Sequence, residues 1–175
     1  ATGIEANFDW APAAPEVTEA LSLRDGELTE SVVSSTMDIR VSTCVLRDED
    51  VVAFSVTGAG ENPVILELSR PEHPGLEAMR WISRGRELKL FTQKLPDGNV
   101  YAVALASKGN DHVLAVRTTR ECADPAAAAR TAAVKAVSRG YAALAKDNKK
   151  WWNDFWDRGG NVSFASEPEI DLAWH

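Results

Sequence analysis

Turn sequences recur roughly every ten residues between residues 17 and 120, and this spacing constrains the fold more than any other feature of the chain. The segments between the turns are short and rich in the β-branched and apolar residues that favour strands. Parallel strands would need a crossover of a dozen or more residues between neighbours, and the spacing leaves no room for one. The sequence therefore predicts a mainly β protein, an antiparallel β-sandwich of about nine strands over residues 17–120.

Two kinds of strand can be distinguished by their periodicity. Residues 37–45 alternate between apolar and polar side chains, as expected where one face of a sheet is buried and the other is wet. Residues 51–57 are apolar on both faces, which is typical of a central strand. Further strands are predicted at 17–23, 27–34, 64–68, 87–94, 100–106 and 112–119, and residues 76–82 form a short ambiguous element.

A helical region is predicted where the composition changes at residue 124. Asp124 is a suitable N-cap, and Pro125 fits the first helical position, where its missing N–H costs no hydrogen bond. Gly140 interrupts the region, and a second helix then runs on until Gly159 ends it. The predicted organisation is an irregular segment at 1–16, the sandwich at 17–120, linker helices at 124–158, and a short extended piece with the start of a truncated helix at 161–175.

Aromatic residues crowd near the end of the second helix, where they occupy four of six positions: Trp151, Trp152, Phe155 and Trp156. Spacings of three and four residues place them on one helical face. Three interpretations remain open. The face packs on the sandwich itself, docks against a domain that lies outside this sequence, or offers its rings as a sugar-stacking platform. A continuous helical stripe is more often packed than exposed, so these four residues are candidates for a domain interface.

The overall charge argues against two classes of partner. The chain has 19 Lys and Arg against 26 Asp and Glu, a formal net charge of −7, which is the wrong sign for binding phosphates or anionic lipid. Its apolar runs are shorter than the roughly 18–20 residues of a membrane-spanning helix. Neither a nucleic acid nor a membrane partner is therefore predicted.

The two cysteines, Cys44 and Cys122, are too few for a disulfide framework and lack metal-ligand spacing. Both are expected to be buried thiols that behave as small apolar residues. A single disulfide is the alternative if the protein is exported. An extracellular or periplasmic location is slightly favoured over a cytoplasmic one.

The histidines and carboxylates show no catalytic arrangement in the sequence. His73 lies in a proline-flanked loop, His112 opens a strand and His175 is the last residue, so no pair has metal-ligand spacing. The acidic runs at 48–50 and 167–171 could be imagined as acid/base pairs, but charge runs at turns and helix starts are usually solvated. No catalytic residue, metal site or cofactor is predicted.

A family resemblance rests on the order of these segments and on one motif. The most specific part is Trp152-Asn153-Asp154-Phe155-Trp156, preceded by Trp151 and followed by Val162-Ser163-Phe164 and Pro168-Glu169-Ile170. Over residues 17–174 the sequence resembles the N-terminal region and linker helices of glycoside hydrolase family 95-like proteins, the α-L-fucosidase type, related in architecture to family 65. The resemblance implies a β-supersandwich, linker helices with a tryptophan motif, and then an (α/α)6 barrel that holds two catalytic carboxylates.

The barrel and its carboxylates are missing from this sequence, so the resemblance provides no catalytic residue. It implies a non-catalytic module of a larger glycoside hydrolase, whose partner is the (α/α)6 barrel of the same parent chain and which meets the oligosaccharide only indirectly. The alternative is a free-standing carbohydrate-binding module, for which the candidate contact residues are Trp10, Trp81, Phe91 and Tyr101. Any part of the aromatic face left uncovered should promote self-association.

Overall fold

The computed structural model describes residues 14–58, 66–70 and 74–159. These residues form eight strands followed by two helices. The strands are β1 (Glu16–Ser22), β2 (Glu27–Ser34), β3 (Met37–Leu46), β4 (Val51–Thr57), β5 (Arg80–Arg84), β6 (Leu88–Lys94), β7 (Val100–Lys108) and β8 (Asp111–Thr118). The helices are α1 (Pro125–Arg139) and α2 (Tyr141–Arg158). The prediction of a mainly β, antiparallel fold followed by C-terminal helices is confirmed.

All eight strands hydrogen-bond in one sheet, in the order β1-β2-β3-β4-β8-β7-β6-β5, and every neighbouring pair is antiparallel. Two meanders, β1 to β4 and β5 to β8, therefore meet at the β4–β8 pair in the middle of the sheet. A second hydrogen-bonded sheet is not present among the described residues.

Local sequence explains where the helices begin and end. Asp124 accepts a hydrogen bond from the backbone N–H of Ala127 at 3.0 Å, and Pro125 starts α1, as predicted. Gly140 adopts φ 79°, a value that side-chain-bearing residues avoid, and separates α1 from α2. Gly159 ends α2, with its N–H bonded to the carbonyls of Phe155 and Trp156.

The two helices lie on one face of the sheet, which we call the helix face. Helix α1 packs on β7 and β8. The contact is made of fully buried small side chains, which let the helix approach the sheet closely: Ala129, Ala133 and Ala136 on the helix and Ala102, Ala104 and Ala115 on the strands. Leu144 of α2, also fully buried, completes this core.

The opposite face of the sheet, the outer face, is covered only in part. Over β6 it lies beneath the chain segments 66–70 and 74–79. Lys89 donates to the carbonyl of Leu66 at 2.8 Å, and Gln93 donates to the carbonyl of Glu77 at 3.0 Å. Phe91 and Gln93 are consequently buried. Over β1 to β3, in contrast, apolar side chains of the outer face remain exposed.

Some sequence predictions need correction. About nine strands were expected, and the described residues contain eight. In the strand predicted at 64–68, residues 66–68 are irregular and the other two lie outside the described residues; the ambiguous element at 76–82 contributes instead to β5. Cys44 is a buried free thiol as predicted, but Cys122 is only half-buried because its turn lies at the surface. Neither described helix is long and apolar enough to span a membrane.

Candidate functional site

The aromatic residues of α2 form one connected cluster. Trp151 and Phe155 stack with ring centres 5.5 Å apart, and Trp152 and Trp156 stack at 6.1 Å. Edge-on contacts link the two pairs, with Trp151 and Trp152 only 5.1 Å apart. Each stacked pair is spaced by four residues, so one turn of helix sets its geometry. The predicted common face therefore contains two aromatic pairs with different surroundings.

Trp152 and Trp156, the inner pair, contact the turn that joins β1 to β2. The backbone of Gly26 adopts φ 62°, and a Cβ built there would overlap the indole ring of Trp152, so the ring lies directly on the turn. Trp156 donates its Nε1–H to the carbonyl of Leu23 at 2.8 Å. The tip of the β1–β2 hairpin is thus held by two indole rings.

Polar side chains of α2 hold the same turn. Asn148, which is 5% exposed, donates to the carbonyls of Asp25 and Gly26 at 3.2 and 2.9 Å. Lys149 donates to one carboxylate oxygen of Asp25 at 2.8 Å, and Asn153 donates to the other at 3.3 Å. The hydrogen bond from Lys149 is the main cause that holds the pKa of Asp25 below its usual value. These contacts fix the position of α2 over the turn.

An ion pair closes the far end of this contact. Arg24 donates to Asp157 at 2.8 Å, and both side chains remain more than half exposed. Such an exposed pair contributes at most about 1 kcal/mol. The turn at 23–26 and α2 are therefore joined along about three helical turns, from Asn148 to Asp157.

Trp151 and Phe155 form the outer pair, and Trp151 lies beside the turn that joins β3 to β4. The guanidinium of Arg47 lies 4.7 Å from the ring centre of Trp151, a cation–π arrangement. Phe155 keeps 40% of its surface exposed. The outer pair is therefore the part of the aromatic cluster that offers apolar surface to a partner.

A groove of about 410 Å³ lies beside the outer pair, between the β3–β4 turn and α2. Its walls are mostly charged, and most of the charged groups pair with one another. Arg139 bridges Glu49 and Asp147, and Lys150 pairs with Asp154. The bridge made by Arg139 ties the end of α1 to both the turn and α2. The groove is thus an electrostatically compensated junction between elements.

The sheet itself caps the start of α2. Gly140 has no side chain with which to cap the helix, and Asp111 of β8 accepts the backbone N–H of Tyr141 at 2.9 Å. Next to it, the Tyr141 hydroxyl donates to Glu27 at 2.7 Å, and burial together with Glu27 raises the pKa of Tyr141. Burial also raises the pKa of Cys44 to about 11, so this thiol stays protonated and unreactive near neutrality.

The candidate sugar-contact residues have unequal exposure. Phe91 is 3% exposed and is covered at its edges by Trp81 at 5.5 Å and Tyr101 at 6.2 Å, so it offers no open ring face. Trp81 is half-buried and carries the guanidinium of Arg84 at 4.8 Å from its ring centre. Trp10 lies outside the described residues.

His112, the histidine within the described residues, has structural contacts. His112 is 5% exposed, stacks on Phe54 and hydrogen-bonds Ser107 through Nδ1 at 2.9 Å, and burial lowers its pKa. Within residues 14–58, 66–70 and 74–159, no group of three or more His, Cys, Asp or Glu side chains could hold a metal. His73, His175 and the acidic run at 167–171 lie outside these ranges.

Sequence reasoning missed the residues that receive α2. The sequence indicates only turns at Asp25, Gly26 and Asp111, because their partners in α2 lie 30 or more residues away along the chain. One local indication existed for Asn148, an amide on an otherwise apolar helical face, where a buried polar group requires partners.

Comparison with known proteins adds a fold-level likeness. No protein-family model matches the chain, and no curated protein matches it. A solved structure named "Putative kojibiose phosphorylase from human microbiome" is similar with a TM-score of 0.54 and 16% sequence identity. The alignment covers 79% of this chain and 23% of that chain, so the chain spans less than a quarter of the length of that protein. At this identity the likeness concerns the fold.

Proposed function

We propose that this chain is the non-catalytic β-sheet module, with its linker helices, of a larger carbohydrate-active enzyme of the glycoside hydrolase class. Two lines of support meet. The fold is similar to that of less than a quarter of a protein whose name describes it as a kojibiose phosphorylase. The resemblance of the tryptophan motif independently implies a glycoside hydrolase, of the α-L-fucosidase type, with an (α/α)6 barrel after the linker helices.

The observation that carries the proposal is the division of the aromatic cluster. The inner pair anchors α2 on its own sheet, while the outer pair keeps apolar surface exposed, with Phe155 40% exposed. One domain holds the helix through the inner pair, and the outer pair remains available for contact with another domain. Such a helix is suited to join the two domains. The module would then support the barrel, and the oligosaccharide would be bound and cleaved elsewhere in the polypeptide.

The proposed contact between α2 and the barrel can be tested by expressing this chain and the rest of the parent polypeptide separately and measuring their association. Replacing Trp151 and Phe155 together with Ala should weaken association by about tenfold or more, since aromatic side chains dominate such contacts. Ile82→Ala is the matched control, because Ile82 is 53% exposed on β5, away from the helices. If the wild-type chain and the double variant bound the rest of the polypeptide with equal affinity, α2 would not form the contact between the two parts.

Calorimetry separates the module from the free-standing carbohydrate-binding alternative. The isolated chain is titrated with fucosylated oligosaccharides and with α-linked glucose disaccharides. The supporting role predicts no saturable heat. Saturable binding that is lost in Trp81→Ala would instead favour a carbohydrate-binding module.

A further inference from the structure

The outer face of β1 to β3 has the wrong polarity for a solvent-facing surface. Eight apolar side chains lie on it and define the apolar outer patch: Val17, Leu21, Leu28, Val32, Met37, Ile39, Val41 and Val45. Direct cross-strand partners share a face, so the register places them together. Val17, Leu21 and Val45 are 57%, 62% and 58% exposed.

The helix face of the same strands is the polar one. Thr18 and Ser31 hydrogen-bond to each other there at 2.5 Å, and Arg40 is paired with Ser31 in the register. In an antiparallel sheet with one wet face, the apolar face is the one that is buried. The apolar outer patch is therefore a packing surface.

Two carboxylates lie within this patch. Glu19 of β1 and Glu30 of β2 are direct cross-strand partners, flanked by the pairs Val17–Val32 and Leu21–Leu28. Like charges directly opposite one another destabilise a strand pair. In the described part of the chain neither carboxylate forms an ion pair. An apolar surface that contains an uncompensated acidic pair is complementary to an apolar partner surface with a basic side chain opposite that pair.

A second copy of this chain does not meet that requirement. It would bring the same two carboxylates to the contact, and the whole chain carries a net charge of −7. The outer face is instead already covered over β6 by segments of the same polypeptide at 66–70 and 74–79. The cover over β6 and the uncovered patch lie on one continuous sheet face, so a layer of the same polypeptide is the occupant that continues it.

We propose that the apolar outer patch packs against an apolar layer supplied by the rest of the parent polypeptide, and that this layer places a lysine or arginine against Glu19 and Glu30. The inference rests on the proposed function for the existence of that larger polypeptide. It assigns a second interface, on the face opposite to the aromatic cluster.

Hydroxyl-radical footprinting of this chain alone and of the full-length polypeptide tests the apolar contact. Val17 and Leu21 should lose reactivity about fivefold in the full-length protein as they reach the exposure of core side chains. Val33 is the matched control, because it is 41% exposed on β2 but lies on the helix face. Unchanged reactivity of Val17 and Leu21 would overturn the proposal, as would protection in the chain alone that rises with its concentration.

Hydrogen exchange of the β1–β2 amides tests whether a lysine or arginine lies against Glu19 and Glu30. The effect of Glu30→Gln on the exchange rate should have opposite signs in the chain alone and in the full-length protein. Glu30→Gln removes the repulsion, so it should slow exchange about two- to fivefold in the chain alone, and it should speed exchange in the full-length protein, where it removes the partner of the basic residue. Glu16→Gln, on the helix face of β1, should have the same small effect in both contexts. If Glu30→Gln slowed exchange in both contexts, the proposal that a lysine or arginine lies against Glu19 and Glu30 would be wrong.

Carbohydrate-cleaving activity measured on the same full-length protein keeps the two proposals separate. Activity without protection of Val17 and Leu21 overturns the interface alone. Protection without activity supports the interface and counts against the proposed function.

Discussion

The sheet has two halves that are stabilised differently. The central strands β4, β8, β7 and β6 are buried by apolar contact, and Ala53, Ala102 and Ala104 among them are fully buried. The outer strands β1 to β3 leave apolar surface exposed, and their hairpin tip is held by indole rings and polar side chains of α2. Buried apolar packing is therefore concentrated in the central half of the sheet, and exposed apolar surface in the outer half.

The two helices follow the same division. Helix α1 packs on β7 and β8 through alanines that the sheet buries, Ala129, Ala133 and Ala136. Helix α2 buries Leu144 near its start, but its second half extends along the turn at 23–26 and carries the aromatic cluster. Helix α2 thus passes from core packing to the aromatic cluster within about five helical turns.

The largest expected effect compares one substitution in the two halves. Leu90→Ala should cost about 2–5 kcal/mol, because Leu90 is 2% exposed in the core of β6. Leu21→Ala should cost about 0.5 kcal/mol or less, because Leu21 is 62% exposed on β1. Urea unfolding of both variants of this chain gives the two values. Equal losses would show that the halves are stabilised alike and would end the comparison.

The next effect concerns the turn beneath the inner pair. Gly26→Ala should cost at least about 2 kcal/mol, since the new Cβ strains a left-handed backbone and also displaces the ring of Trp152. Gly109→Ala is the matched control: Gly109 has φ 61° but no atoms within 4 Å of the added Cβ, so it should cost only about 1 kcal/mol. Thermal unfolding measures both.

The double substitution isolates the contact with the indole. In a Trp152→Ala background, Gly26→Ala should cost no more than Gly109→Ala, because the overlapping ring is gone. If Gly26→Ala remained the more costly of the two in that background, the ring would not be what restricts the turn.

A smaller effect distinguishes the inner from the outer pair. Trp156→Phe keeps an aromatic ring but loses the hydrogen bond to the carbonyl of Leu23, which should cost about 1 kcal/mol. Trp151→Phe keeps a ring for Arg47 and should cost a few tenths of a kcal/mol. Chemical denaturation of the two variants provides the comparison. A larger loss for Trp151→Phe would mean that the outer pair, too, is needed within the chain.

Sequence predicted what depends on local chemistry. The Asp124-Pro125 start, the break at Gly140 and the end at Gly159 were all readable because capping involves residues within one turn of each other. The antiparallel class followed from turn spacing. The common face of Trp151 and Trp156 followed from helical periodicity.

The parts that sequence could not predict depend on long-range pairing. Strand β8 lies beside β4 although their pairing residues, such as Phe54 and His112, are 58 positions apart, a pairing that periodicity does not specify. The strand predicted at 64–68 depends on the β-branched Val64 and Ile65, but its described residues 66–68 have no ladder partner among the described strands, so local propensity does not decide the outcome. The hydrogen bonds from Asn148 to the turn at Asp25 are equally long-range, because these residues are 123 positions apart.

The smallest expected effect is a pH dependence confined to the contact between α2 and the hairpin. Lys149 holds the pKa of Asp25 below its usual value, so the folded state binds a proton less readily than the unfolded state. The stabilisation is present above the unfolded pKa of about 3.9 and is lost as the pH falls through the lower folded value. Tryptophan fluorescence should therefore change below about pH 4 while circular dichroism still reports the sheet, and Asp25→Asn should abolish that change.

Asp97→Asn is the control, because Asn99 lowers the pKa of Asp97 in the β6–β7 turn, away from the indoles. Loss of the fluorescence change in Asp97→Asn as well would mean that the acid transition spreads through the sheet and that the two halves do not respond separately.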